Sequence, residues 1–203
     1  MKIYSEREAE EFLGENGFQI IEGHFFNGEK ELNYFLKSSN FPLVMKVSGD
    51  KILHKKTLGG VKLNLSNSSS AIGAFEELMN IKDAEGVLVQ RQISGIELLF
   101  GIKETPEFGH VLVFGQGGSL VEKLADVSFR VCPVNNVEVK EMIFETEVGK
   151  LLKEKEIKLV IEDLMKLALL VDKFPQISEL DINPLILTPE TEDFVVDARI
   201  SMQ

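Results

Sequence analysis

The chain is poor in sulfur chemistry: Cys132 is the single cysteine among 203 residues. One thiol cannot form an internal disulfide, which fits a reducing compartment and leaves the fold to rest on its core. Excess positive charge is missing as well. The 22 Lys and Arg are outnumbered by 33 Asp and Glu, giving a formal net charge of −11. That balance argues against nucleic acid or an anionic membrane as the main partner. It does not exclude ATP, because the local charge of a site decides that. No apolar run approaches membrane-spanning length, and Met1-Lys2-Ile3-Tyr4-Ser5-Glu6 lacks the apolar core of a signal peptide. Low-complexity tracts and internal repeats are absent too. The reading is a soluble, cytoplasmic chain, long enough for one large domain or two lobes with a real core.

The elements alternate between helix and strand. Ser5-Glu6-Arg7-Glu8 is a capping-box pattern and Asn16-Gly17 a natural stop, so residues 5–16 read as a helix. A second amphipathic stretch covers 28–38. Leu43-Val44-Met45-Lys46-Val47 reads as a buried strand, residues 61–65 as a half-buried one, 68–80 as a helix and 86–90 as a further strand. Beyond Gln90 the pattern turns to strands at 96–103, 110–114 and 120–124, followed by two helices. The second carries Ile157, Val160, Ile161, Leu164, Ala168 and Val171 at helical spacing and stops at Phe174-Pro175. The expected architecture is α/β, two α+β lobes at 1–90 and 91–203 with a cleft between them.

The strongest chemical signal lies in Glu179-Leu180-Asp181-Ile182-Asn183-Pro184 and Val195-Val196-Asp197-Ala198-Arg199. Asp181 and Asn183 are two apart and share one face of an extended segment. A tight return through 188–193 brings Asp197 towards them. Three oxygen-bearing side chains at a strand pair suit a hard cation such as Mg²⁺; Asn183-Pro184 reads equally as a turn beside solvated acids.

Other residues carry two readings each. Lys46 sits in an apolar strand, either snorkelling or aimed at phosphates. Gly115-Gln116-Gly117-Gly118 lets a backbone approach a phosphate closely, and a hairpin turn looks the same in sequence. His54, flanked by Lys51, Lys55 and Lys56 with Gly59-Gly60 downstream, is a loop histidine or a phosphoryl-accepting nucleophile. Arg130 is a phosphate clamp or a salt bridge to a surface acid. Glu97 and Glu122 are ribose contacts, supports for the metal, or solvent-facing strand residues. His24 and His110 read as structural.

Taken in order, Pro42–Lys46, Ile52–Lys55 with Gly59–Lys62, Gly86–Gln90, Phe114–Gly118, Asp126–Arg130, Glu179–Pro184 and Val196–Arg199 resemble one family. It is the ATP-grasp β subunit of ADP-forming acetyl-CoA synthetase (acetate–CoA ligase, ADP-forming), a relative of succinyl-CoA synthetase. The resemblance spans nearly the whole chain. It implies an ATP-grasp fold binding ATP/ADP in the cleft, with Lys46 on the phosphates, Val89-Gln90 along the adenine and Glu97 near the nucleoside. Gly117 and Gly118 then lie by the nucleotide, with Asp181, Asn183 and Asp197 at the Mg²⁺ positions. It implies that His54, aided by Arg130, passes phosphate between ADP and a phosphohistidine on a CoA-binding α subunit, in an α2β2 assembly active only with both subunits. The reaction is acyl-CoA, ADP and phosphate to acid, CoA and ATP. Two departures, Lys56-Thr57 where the family has Ser-Asp and Arg91 where it has Glu, keep a silent nucleotide-binding subunit as the rival reading. An ATP-grasp ligase forming an acyl-phosphate is a third.

Overall fold

The computed structural model describes residues 2–49, 52, 58–118 and 125–203. In chain order its elements begin β1 (Lys2–Ile3), α1 (Glu6–Glu15), β2 (Gly23–Phe26), α2 (Glu29–Leu36), β3 (Leu43–Ser48), β4 (Val61–Leu65), α3 (Ser68–Met79) and β5 (Gly86–Arg91). They continue β6 (Ile96–Thr105), β7 (Gly109–Gln116), β8 (Val127–Val131), α4 (Asn136–Phe144), α5 (Glu147–Lys150), α6 (Glu154–Lys173), β9 (Ile177–Leu187), β10 (Asp193–Val195) and β11 (Ala198–Met202). The chain divides into two compact units, Ile21–Gln92 and Met1–Ile20 with Ile93–Gln203.

The smaller unit is a four-stranded antiparallel sheet in the order β2-β5-β3-β4. Alternation along the strands sorts its side chains. Leu43, Met45 and Val47 of β3 and Val87 and Val89 of β5 join Leu32 and Leu36 of α2 and Ala71, Phe75 and Leu78 of α3 in one core. Helix α3 starts at Asn67, whose side chain accepts the Ser70 N–H at 2.9 Å.

The larger unit is a seven-stranded antiparallel sheet, β1-β11-β9-β6-β7-β8, with β10 pairing β9 outside that path. Helices α1, α4 and α6 cover one face. Leu98, Phe100, Ile102, Leu112, Phe114, Leu180 and Ile182 point from the strands into the same core as Leu13, Met142, Ile143, Val160, Leu164 and Leu167. Helix α6 reaches this core along the apolar stripe its sequence shows, and it ends at Lys173, ahead of Pro175.

Two elements differ from the expectation. Residues 1–20, assigned by sequence to the first lobe, pack with the C-terminal segment. The Ser5–Glu8 capping box forms, and α1 buries Ala9 and Leu13 in the larger core, while Lys2 pairs with Met202 across β1 and β11. Nothing local in the sequence encodes that pairing, because its partner lies at the far end of the chain. The edge strand β8 at 127–131 is a second surprise, since the sequence reading took these residues only as a motif. The strand expected at 120–124, and Glu122 within it, lie outside the described residues.

Strand β10 sets a carboxylate against α6. Asp163 and Asp193 are both buried, at 1% and 4% exposure. Lys166 donates to Asp163 at 2.6 Å and to the Gly17 carbonyl at 3.2 Å. Burial, followed by the hydrogen bond with Asp163 and its charge, pushes the Asp193 carboxyl up to about 8. The protonated form of Asp193 is thus favoured, since it removes the repulsion from Asp163 and supplies a donor to it. Its folded pKa lies above the unfolded value near 4, so the stability it gives is full below about pH 4. That stability declines as pH rises and is gone once pH passes about 8. Asp193→Asn keeps a donor that does not titrate. Its stability relative to the parent should grow by on the order of 1 kcal/mol per pH unit between pH 5 and 8, then level off. Urea denaturation at each pH checks this; parallel pH profiles for the two proteins would refute it.

Candidate functional site

Strand β9 builds the site because its two faces do different work. Leu180 and Ile182 enter the core, so Glu179, Asp181 and Asn183 project from the face opposite the helices. Against β6, Leu185 pairs with Leu98 and Ile182 with Phe100, so β9 carries an extra residue at Asn183-Pro184. Proline tolerates this position because it has no N–H to lose from the ladder, and such a bulge re-aims the neighbouring side chain. The return through β10 then brings the start of β11 alongside: the Asn183 N–H donates to the Asp197 carbonyl at 2.9 Å, and Val196 N–H to that of Pro184 at 3.1 Å. Asp181, Asn183 and Asp197 are thus gathered at one strand-pair end, as their spacing suggests.

The electrostatics there favour a cation. Asp181 is pushed up to about 6, first by burial, then by the Asp197 charge, while Arg199 across the ladder opposes the rise. Two carboxylates and a neutral amide oxygen, partly buried and mutually repelling, match what a hard divalent ion accepts, and such an ion would offset the repulsion.

The glycine segment lies beside these residues and is fully engaged. Gln116 N–H donates to the Asp126 carbonyl at 3.0 Å and Gly117 N–H to that of Glu97 at 2.8 Å. Gly118 N–H donates to Asn183 Oδ1 at 2.7 Å. Glycine is required at 117 by the backbone packed against it and favoured at 118 by its positive φ. A Cβ on Gly117 would stand 2.5 Å from the Leu98 backbone, and one on Gly118, where φ is +77°, would stand 1.5 Å from the Glu97 carboxylate. Glu97 itself, an exposed residue on β6, lays its side chain across Gly118. Gln116 received no role from sequence, yet its Nε2 donates to the Glu97 carbonyl at 2.9 Å. Its only signal was a polar residue set between glycines.

Arg130 requires a correction. It shares the helix-side face of β8 with buried Ser128, away from the face that carries Asp181 and Asn183. Its guanidinium grips Glu145 at the end of α4 in two bonds, 2.9 Å from NH1 and 2.7 Å from NH2, and Ser128 donates to the same carboxylate. The Arg130 bond, then that of Ser128, holds the Glu145 carboxyl down near 2. The guanidinium that could match a phosphate is engaged instead in a salt bridge to a surface acid, the other reading its sequence allowed. Arg130→Lys keeps the charge but loses the fork. It should lower stability by roughly 0.5–1 kcal/mol and leave Mg·ADP affinity within twofold. Calorimetric titration and thermal melts measure both; a tenfold loss of ADP affinity would restore the clamp.

In the smaller unit, Lys46 is 5% exposed and shares with Val44 the sheet face turned from the core. Its strand neighbours are Leu88 and Val61. Gln90, opposite Val44, is buried on that same face. Its Nε2 donates to the Ile21 carbonyl at 3.0 Å, while its buried Oε1 has no hydrogen-bond partner among the described residues. Val89 points into the core, and both of its strand neighbours are paired. His54 and its lysines lie outside the described residues; Gly59, at φ +66°, and Gly60 lead into β4.

Comparison with known proteins agrees with this architecture. The family model for the ATP-grasp domain matches residues 1–202. The β subunit of acetate–CoA ligase (ADP-forming) I of Pyrococcus furiosus is 36% identical over 96% of this chain and 90% of its own length. Acetate–CoA ligase (ADP-forming) II of Archaeoglobus fulgidus is 37% identical over 96% of this chain, which spans only 30% of that longer protein. Among solved structures, acetyl-coenzyme A synthetase 1 of Ca. Korarchaeum cryptofilum, in complex with coenzyme A and Ca-AMPCP, superposes with a TM-score of 0.86. That match has 32% identity and covers 100% of this chain and 94% of that one. The same protein with Mg-AMPPCP gives 0.82. The chain belongs to the ATP-grasp family and, within it, to the group formed by the β subunits of ADP-forming acetate–CoA ligases.

Proposed function

We propose that this chain is the nucleotide-binding subunit of an ADP-forming acyl-CoA synthetase, working with a CoA-binding α subunit in a hetero-oligomer of α2β2 type. The observation that carries the reading is the convergence of Asp181, Asn183 and Asp197 on one sheet face beside the glycine segment. It gains support from identity to the Pyrococcus β subunit over 90% of that protein's length.

In this reading Asp181, Asn183 and Asp197 hold Mg²⁺, which offsets phosphate charge when bound. Lys46, buried on an apolar strand, keeps its ammonium close to the phosphates of ATP or ADP and adds a second positive charge. The unsatisfied Oε1 of Gln90 offers a buried acceptor to a donor on the base, and Val89 contributes through the strand that carries it. Glu97, over Gly118, accepts from a ribose hydroxyl.

His54 is the group that exchanges phosphate. A neutral imidazole near pH 7 is nucleophilic, and the P–N bond it forms is easily broken again. It takes the phosphoryl group from a phosphohistidine of the α subunit, one P–N bond forming as the other breaks. It then yields the group to the terminal phosphate oxygen of ADP, giving ATP and free imidazole. Lys51, Lys55 and Lys56 beside it draw in the charged partner. The overall change is acyl-CoA, ADP and phosphate to acid, CoA and ATP.

The joint variant Asp181→Asn with Asp197→Asn should bind Mg·ADP at least tenfold more weakly while melting no lower than the parent, because it removes two repelling carboxylates. Unchanged affinity in calorimetry would sink the metal assignment. His54→Ala should keep Mg·ADP affinity within about threefold, or 0.6 kcal/mol. It should yield no ATP from ADP and a phosphorylated α subunit; near-normal ATP production would remove His54 from the route. The purified chain alone should form no ATP from acetyl-CoA, ADP and phosphate.

A further inference from the structure

Asn183 has more to do than its place among the acids suggests. Its backbone N–H is tied to the Asp197 carbonyl at 2.9 Å, and its side-chain oxygen takes the Gly118 N–H at 2.7 Å. One residue on the β9 bulge therefore grips both segments that flank it, the start of β11 and the end of the glycine loop. The loop is also pinned on its β6 side, where the Glu97 carbonyl accepts from Gly117 N–H at 2.8 Å and from Gln116 Nε2 at 2.9 Å, and on its β8 side, where Gln116 N–H donates to the Asp126 carbonyl at 3.0 Å.

We propose that Asn183 is a positioning residue for nucleotide binding: its side-chain oxygen fixes Gly118 in its left-handed turn and so sets where the glycine loop meets the ligand, independently of any role towards a cation. The inference rests on the reading of this face as a nucleotide site.

Three physical points carry it. First, Gly118 sits at φ +77°, a conformation that its lack of a side chain leaves open, and its N–H points at the Asn183 oxygen. A glycine adopts this conformation and others freely, so the acceptor aimed at its N–H is what selects one of them. Second, an amide oxygen has two lone pairs, so one can hold Gly118 while the other stays available. Third, the neutral amide suits a position next to Asp181, which already feels the charge of Asp197. A carboxylate at 183 would supply the same acceptor but add a third negative charge. An asparagine here therefore serves as a charge-free clasp. The loop's N–H groups at 116, 117 and 118 are all spent inside the protein, so the segment is a braced surface against which a ligand packs, not an open cradle of amides.

The test separates the clasp from metal binding by working in EDTA. In the perdeuterated, ¹³C,¹⁵N-labelled wild-type chain, the Gly118 nitrogen should show a scalar coupling across the hydrogen bond to the Asn183 side-chain carbonyl carbon. Asn183→Ala should speed exchange of the Gly118 amide at least tenfold, and Asn183→Asp, which keeps an acceptor, should restore most of the protection. Asn183→Ala should also weaken metal-free ADP binding at least fivefold. A missing coupling in the wild type overturns the proposal, and so does an unchanged Gly118 exchange rate in Asn183→Ala. Loss of Mg·ADP affinity with metal-free ADP affinity intact overturns it as well, since the oxygen would then serve only the cation. The wild-type coupling decides the matter even if Asn183→Ala does not fold. A wild-type chain that binds no ADP even with Mg²⁺ overturns the nucleotide reading and this proposal together. One that binds Mg·ADP but shows no coupling overturns the proposal alone.

Discussion

The alternation of side chains along β9 from Glu179 to Asn183 is the constraint on which the rest depends. An eleven-residue strand in the middle of a sheet must serve two environments at once. Its inward residues, Leu180 and Ile182 among them, complete a core with α6 that no disulfide supports. Its outward residues are then free to be polar, and the cost of placing Asp181 near Asp197 is carried by that core. The Asn183-Pro184 bulge breaks the alternation where the strand reaches the site.

Charge at the site is arranged by position in the ladder. Asp181 faces Asp197 as a repelling neighbour and Arg199 as a cross-strand relief, so the metal-free site is strained without being unpaired. This is the usual relation between a binding site and its scaffold: local instability that a ligand removes, held in place by stability elsewhere. Asp163 and Asp193 show the contrasting solution. Shielded from solvent, that pair is eased by Lys166, which donates to Asp163, and by the raised pKa of Asp193 in place of a ligand.

Much of this was legible from the residues. The capping box of α1, the apolar stripe of α6 and the strand character of 43–47 and 86–90 all appear where local pattern places them. Asp181 and Asn183 were readable as a pair because period-two alternation is a local rule, and the short return to Asp197 made the third member reachable. What escaped depended on partners distant in sequence. The pairing of β1 with β11 cannot be seen from residues 2–3, and the role of Arg130 turned on Glu145, fifteen residues away on another element. The Gly118–Asn183 bond joins positions 65 apart, so the glycines were visible in sequence while the group that fixes them was not.

The order of the chain also has a consequence for assembly. The smaller unit is one continuous stretch, Ile21–Gln92, whereas the larger unit is made of Met1–Ile20 and Ile93–Gln203. As the polypeptide leaves the ribosome, the smaller unit can close on itself while most of the larger one is still unmade. Helix α1 and the segment after it must meanwhile wait with Leu13 and Phe18 uncovered until β11 and α6 emerge. Closing so long a loop is slow to begin but adds little to the final cost, since the entropy of closure grows only with the logarithm of length. Residues 1–20 are thus made before the segments that secure them.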